Sequence, residues 1–534
     1  MPHPLQRAAL LALFLLLMTA PVRAAEFLLF YSNDVRGETE PCGCSAKQRG
    51  GMSRKAAQIS QIAAAEQLPF LYLDSGGLLF KETRLPAGQE EQAKIAAQGL
   101  AAAMQVMRCQ AAGVGAHDLA GGVELLRQFQ DTGQLTWLSM NLVDRQQNQP
   151  VFTPWLLTKT AGLSVAVLGL TNEKTRLAPA DQEHYALLPW EQTLPKALAQ
   201  VRDKADMIIL LSSCPETVNK KIAKAHPEIN LLLHSGPGAA TAYPVMVNQT
   251  VFAQTGPRGK SLGLLRIVWT AAGKWDQQDL SAIRMEQSRL DRIILQMSRF
   301  REKHENWDLS RDKDWQLLLA DKQAAKNRIN TMLRQQKPPD KSLSRFTARF
   351  IPLESELPED PAVLAIMDRT AQRINAFSKA EKADQPTTAA DALRSLAGWQ
   401  SCADCHAAQA AFWQQTGHAR SMAALEAKKQ QFNPDCVVCH VTLPDPAGAA
   451  EIKENKLLLR LPEQFRRVSC ESCHGPAAAH DADPTETPVP HRQPGEQVCK
   501  TCHQPEHDSH FVFAEKEKRI RCPDSAVELP PETR

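Results

Sequence analysis

At 534 residues the chain is too long for one hydrophobic core, and its length suggests about three domains. A net charge of +3 and 43% hydrophobic residues are ordinary for a globular protein. No basic patch is interleaved with aromatics, which excludes a nucleic-acid partner.

The chain opens as an export signal. Arg7 precedes an apolar run from Ala8 to Ala20, and Val22-Arg23-Ala24 fits a small-residue cleavage site. The run falls short of the ~20 residues that cross a bilayer comfortably. Membrane contact is expected only if this segment stays uncleaved, and the expected location is the periplasm.

From Glu26 to Trp269 short apolar runs alternate with helical or polar stretches. Strands are predicted at Phe27 to Ser32, Phe70 to Ser75, Ser164 to Leu170, Met207 to Ser213, Asn230 to Ser235 and Leu262 to Trp269, with Ala-rich helices at Ser53 to Gln67 and Gln92 to Cys109. Such alternation predicts a layered α/β domain. Its loops NDVRGETEPCGC (Asn33 to Cys44), DSGG (Asp74 to Gly77), GAHD (Gly115 to Asp118), SMNL (Ser139 to Leu142), LSSC (Leu211 to Cys214) and LLHSG (Leu232 to Gly236) occur in an order that resembles the calcineurin-like metallophosphoesterase domain of periplasmic 5'-nucleotidases. The resemblance implies an α/β/β/α sandwich whose strand-end loops converge on a two-metal site.

Against that pattern the chain departs repeatedly. Asp34 matches the first ligand, but Arg36 stands where a histidine should be and Gly77 where the bridging aspartate should be. Ala116 replaces an asparagine and Ser213 a histidine; His117 is kept, and His234 fits only with a shift. Two-metal hydrolysis needs both ions, so a divalent metal is not expected here and phosphatase activity is doubtful. Cys42 and Cys44 in the first loop and Cys214 in a later one, with Asp34, His117 and His234, offer a thiol-rich metal or redox site. The competing reading is a disulfide from Cys214 to Cys42 or Cys44, as an oxidising compartment favours. Cys109 reads as a buried thiol on an apolar helix face.

Residues Leu280 to Gln336 are polar and helical. Leu290, Ile293, Ile294, Met297 and Phe300 form one stripe, and Trp315, Leu318, Leu319 and Ile329 could face it across the turn residues NWDLSRD. A helical hairpin is predicted, either as a spacer or as a dimerisation arm. A short helix from Pro361 to Phe377 and a polar linker from Lys379 to Asp391 follow.

Four copies of one pentapeptide then appear: Cys402-Ala-Asp-Cys405-His406, Cys436-Val-Val-Cys439-His440, Cys470-Glu-Ser-Cys473-His474 and Cys499-Lys-Thr-Cys502-His503. C-x-x-C-H is the attachment signature of c-type haem, in which both thiols form thioethers and the histidine ligates iron. A zinc site would need paired C-x-x-C units sharing one ion, not a histidine after every second cysteine. Four covalent haems are therefore expected. Further histidines at His418, His480, His491, His507 and His510 could supply second axial bonds. With about 140 residues for four haems, the porphyrins would serve as the core.

The flanking words FWQQTGHARSM, VVCHVT, VSCESCHGPAAAH and CKTCHQPEH resemble cytochrome c-554-type tetrahaem domains over residues about 396–522. That resemblance implies electron transfer, with His418 and His480 as distal ligands; Cys522 stands where a further histidine is common. The expected chain is thus multidomain: a signal peptide (1–24), an α/β/β/α metallophosphoesterase-like sandwich (25–274), a helical connector with its hairpin and linker (275–395) and a mostly α and irregular tetrahaem domain (396–534). Electron exchange with periplasmic redox proteins is the first functional expectation. Reduction of a small nitrogen or sulfur species at an open haem, or a tethered phosphohydrolase, are the alternatives.

Overall fold

The structure is a computed structural model that describes residues 24–41, 48–85, 87–236, 242–276, 281–303, 308–335, 340–383, 393–444, 461–504, 508 and 511–523. In chain order its strands are β1 (Ala25–Ser32), β2 (Phe70–Asp74), β3 (Ala111–Gly113), β4 (Trp137–Leu138), β5 (Leu142–Asp144), β6 (Trp155–Thr160), β7 (Leu163–Leu170), β8 (Tyr185–Leu187), β9 (Met207–Ser212), β10 (Leu231–His234), β11 (Ala242–Val247), β12 (Thr250–Gln254), β13 (Ser261–Trp269) and β14 (Arg345–Pro352). Helices α1 (Met52–Glu66), α2 (Glu90–Val106), α3 (Val123–Asp131), α4 (Trp190–Val201) and α5 (Glu216–Ala225) alternate with them, followed by α6 (Ser281–Lys303), α7 (Lys313–Gln335) and α8 (Pro361–Ala383).

Two six-stranded sheets form, ordered β14-β13-β1-β2-β3-β4 and β11-β12-β10-β9-β7-β6. The pleat explains why runs such as Phe27 to Tyr31 are apolar at every position. Phe27, Leu29 and Tyr31 point into the layer between the sheets with Val167, Ile209, Leu211 and Leu233, while Leu28 and Phe30 point outward under the helices. Helices α1 and α2 cover the first sheet, and α4 and α5 the second, through Leu194, Leu198 and Ile222. The central strands of each sheet run parallel, so their C-terminal ends open on one edge.

The expected boundary at 274 is corrected. β14 pairs antiparallel with β13 over its whole length, from Ser261 opposite Pro352 to Val268 opposite Arg345. Phe346, Ala348 and Phe350 alternate onto the core between the sheets. Helix α8 then lies on α2, with Val363 and Met367 in the outer core. A Cβ on Gly99 would stand 2.2 Å from Thr370 Oγ1, so a glycine is what lets the two helices pass this closely. Residues 345–383 therefore complete the first domain, and the hairpin is an insertion between β13 and β14.

That hairpin forms as expected from α6 and α7. Ile293, Met297, Trp315 and Ala325 make its seam, and Asp312 caps α7 by accepting from Trp315 N at 2.8 Å. Ile294 and Leu319, expected in the seam, are 41% and 43% exposed. Cys109 follows α2 and is not on its face; its thiol donates to Ala111 O at 3.4 Å.

The C-terminal part is built of short helices. It also has a small apolar core of its own, including Leu396, Met422, Leu425, Val437, Val441 and Phe465, where the sequence suggested only cofactor would pack.

Candidate functional site

Each pentapeptide sits on about one helical turn. Cys402 and Cys405 end the helix Trp399–Cys405, Cys436 to His440 end Pro434–His440, Cys470 to His474 form a helix, and Cys499 lies in Glu496–Lys500. Spacings of three and four residues put both sulfurs and the histidine on one helical face. His406 N donates to Cys402 O and His503 N to Cys499 O, each at 2.9 Å, so the turn reaches each of these histidines.

Backbone groups fix the ring nitrogens. His440 Nδ1 meets Ser421 O, His474 Nδ1 meets His491 O and His480 Nδ1 meets Thr487 O, each at 2.7 Å. A carbonyl only accepts, so Nδ1 carries the proton and the lone pair sits on Nε2, the nitrogen an iron would take. His503 Nδ1 instead donates to the Asp508 carboxylate at 3.0 Å. Burial holds the pKa values of His418 and His440 below the usual range, favouring the neutral, ligating form.

Two histidine pairs face each other. The rings of His406 and His480 are 6.4 Å apart, and those of His418 and His503 6.2 Å. Two imidazoles bonded at about 2 Å to opposite faces of one metal put their centroids about 6 Å apart, a spacing both pairs match. His491 is exposed and touches His474 through its backbone; His507 and His510 lie outside the described residues.

A cavity of about 670 Å³ opens among three of the motifs, lined by His418, His440, Cys473, Cys499, Cys502 and His503, with Phe412, Val441 and Phe511 as apolar walls. Thiol hydrogen bonds cross between motifs, Cys402 with Cys470 and Cys439 with Cys502, bringing the first motif beside the third and the second beside the fourth. The cysteines among the described residues are free thiols, and there no three Cys, His, Asp or Glu side chains close around one ion position. The donors, the free Nε2 atoms and the cavity fit haem c.

The second candidate is the strand-end edge of the sandwich. Asp34 follows β1, almost wholly buried, and its carboxylate is occupied. It accepts from Asn33 Nδ2 at 3.0 Å and Gly236 N at 2.9 Å, and Arg36 stands 3.5 Å away. A Cβ on Gly77, whose φ is +76°, would stand 2.9 Å from Asp34 Oδ1, so no carboxylate can take that position without displacing the loop. His117 is half-buried with Nδ1 on Phe80 O; burial and then the Arg36 charge lower its pKa. His234 ends β10 against the Phe252 ring, its pKa lowered by burial.

Cys214, expected in a thiol site or in a disulfide to Cys42 or Cys44, follows β9. It is a free thiol packed in the outer core with Met140, Leu170 and Ile222, and burial pushes it up to about 11. Its neighbours Ser212 and Asn219 bond to each other and to its backbone, turning the loop inward. Cys42 and Cys44 lie outside the described residues.

Sequence reasoning missed the acids behind this edge. Asp118 accepts from Gly77, Leu78, Leu79 and Gly115 N at 2.7–3.1 Å, so it builds the loop. Asp74 accepts from Ser32 and Gly76, with burial raising it to about 7, and the Lys55 ammonium lies fully buried near it. Asp508 carries no signal in the sequence beyond its spacing after His503.

A sequence profile for the cytochrome c554 and c-prime family matches residues 401–475, stopping short of the fourth motif. Cytochrome c-554 of Nitrosomonas europaea is 36% identical over 119 residues, 20% of this chain and 45% of that protein. Protein UshA of Escherichia coli K12 is 28% identical over 117 residues, 22% of this chain and 20% of its own length. The chain thus spans less than half of either curated relative. Among solved structures, a 5'-nucleotidase precursor from Thermus thermophilus aligns with TM-score 0.45 and 17% identity over 66% of this chain and 59% of that one. The calcineurin-like phosphoesterase YfkN from Bacillus subtilis aligns at 0.42 and 13%, over 66% and 98%. Residues 401–475 are therefore similar to the cytochrome c554 and c-prime family.

Proposed function

We propose that the chain is an exported electron-transfer protein whose C-terminal domain carries four covalently bound haems, joined to a phosphoesterase-like domain that does not hydrolyse phosphate esters. One observation carries the reading: four C-x-x-C-H turns converge in one small domain, with imidazoles held so that Nε2 is free. His406, His440, His474 and His503 would hold the irons from their motifs, and His480 and His418, which lie near His406 and His503, would supply further imidazoles to them. The eight motif thiols would hold the haems as thioethers, and the irons would supply one-electron chemistry. The protein's own part is to set ring tautomers, exclude water and bring motifs close enough for electrons to pass. Its partners are redox proteins of the periplasm, and among the described residues no helix is long and apolar enough to cross a membrane.

The occupied Asp34 carboxylate, the Arg36 guanidinium beside it and the space denied at Gly77 support the absence of two-metal hydrolysis. The test is mass spectrometry and visible spectroscopy of the purified exported protein. Four covalent haem increments are expected, falling to three when both cysteines of any one motif become alanine. A colourless protein without added mass would remove the reading, and brisk nucleotide hydrolysis with divalent metal would remove its second half.

A further inference from the structure

We infer that Asp508 sets the reduction potential of the fourth motif's iron, placing it below those of the second and third. The inference rests on the haem reading above. His440 and His474 give their Nδ1 protons to neutral peptide carbonyls, those of Ser421 and His491. His503 gives its proton to a carboxylate at 3.0 Å, and that carboxylate is only 12% exposed. A buried anionic acceptor draws the Nδ1 proton harder than a carbonyl does and pushes electron density toward Nε2. A more basic axial nitrogen stabilises ferric over ferrous iron, so one-electron reduction becomes harder while the proton stays on the imidazole.

The geometry is held from several sides. Asp508 N donates to Gln504 O at 2.7 Å and Phe511 N donates to Asp508 O at 3.1 Å, anchoring the acid's own backbone at both its N–H and its carbonyl. The Phe511 ring stacks on His503 at 4.7 Å and 17°, fixing the imidazole plane toward the carboxylate. The His418 ring lies 6.2 Å from that of His503, on the ligand side of the site. Lys516 and Arg519 line the same cavity and favour ferrous iron through space. For that reason the test changes Asp508 alone and leaves them in place.

Redox titration of the full-length holoprotein with dithionite, followed by visible absorbance, tests this in Asp508→Asn and Asp508→Glu. Asn keeps an acceptor oxygen and the size but removes the charge. One of the four midpoints is expected to rise by about tenfold in its equilibrium constant, about 59 mV for a one-electron couple. The other three stay put, the haem count and low-spin spectrum are unchanged, and Glu restores the wild-type value. Four haems with every midpoint unmoved in Asp508→Asn would overturn the inference and leave the haem reading intact. Loss of one haem in both variants would also overturn it, marking Asp508 as an assembly contact. A wild-type protein with no covalent haem would instead strike at the haem reading.

Discussion

Single residues fill the strand-end edge of the sandwich. Gly77→Asp would restore the carboxylate missing there, but it must adopt a left-handed backbone costing about 1–2 kcal/mol and also push on Asp34. We expect a lower melting temperature and no gain of hydrolysis, read by calorimetry and a phosphate-release assay. Asp74 offers a sharper test. Burial raises it to about 7, above the roughly 3.9 of an unfolded carboxyl. Its contribution to stability is therefore complete below about pH 4 and is lost as pH rises through about 7. Asp118, raised to about 6 by burial, slopes the same way. Asp74→Asn should flatten the decline between pH 4 and 7 by on the order of 4 kcal/mol in denaturant unfolding, with Lys55 common to both proteins. Substitutions such as Arg36 for a histidine were legible from loop order alone. The acids behind them were not, because a buried carboxylate is recognised by the amides around it, and those converge only in the fold.

At the level of elements, local pattern predicted strands and helices well and their membership poorly. The apolar runs of β1, β7 and β9 announce strands covered on both faces. β14 alternates just as regularly, but its outward positions are Arg345, Thr347 and Arg349, and a long hairpin separates it from its partner. Only pairing with β13 makes it part of the sheet. In the C-terminal part, Glu471 within the third motif does comparable joining. Its carboxylate accepts from Ala397, Gly398 and Ala477 N, all at 2.9 Å, and is almost wholly buried. Glu471→Ala leaves three amides without that partner and should destabilise this domain by about 3–5 kcal/mol, with Glu471→Gln intermediate. Urea unfolding followed by haem absorbance checks it. The motifs and the spare histidines were plain in the sequence. Which histidine faces which was not, since that depends on how short helices pack.

Over the whole molecule, the two halves meet at a polar junction on α8. Asn375 Nδ2 donates to Lys429 O at 2.6 Å, and Lys429 Nζ lies 3.9 Å from Asp368. Glu40, in the first loop of the sandwich, is raised to about 7 by burial and then by Asp368 and Glu359, with Lys428 and Arg54 opposing. A carboxyl raised in the folded chain contributes stability that is complete below about pH 4 and is lost as pH rises through about 7. Denaturant unfolding should show stability falling across that window, and Glu40→Gln should make the fall shallower. A fall of equal slope in Glu40→Gln would exclude Glu40 as a contributor.

The hairpin between β13 and β14 departs from and returns to nearly the same spot. Asp276 N donates to Ser344 O at 2.7 Å, and Asp340 N reaches the Asp276 carboxylate at 3.3 Å. Its stem is thus already stitched shut by the parent sheet, and closing so small a gap costs little chain entropy. Residues 281–335 could be excised and the stumps rejoined by a few glycines, or exchanged for a fluorescent reporter, with the pairing of β13 and β14 left intact.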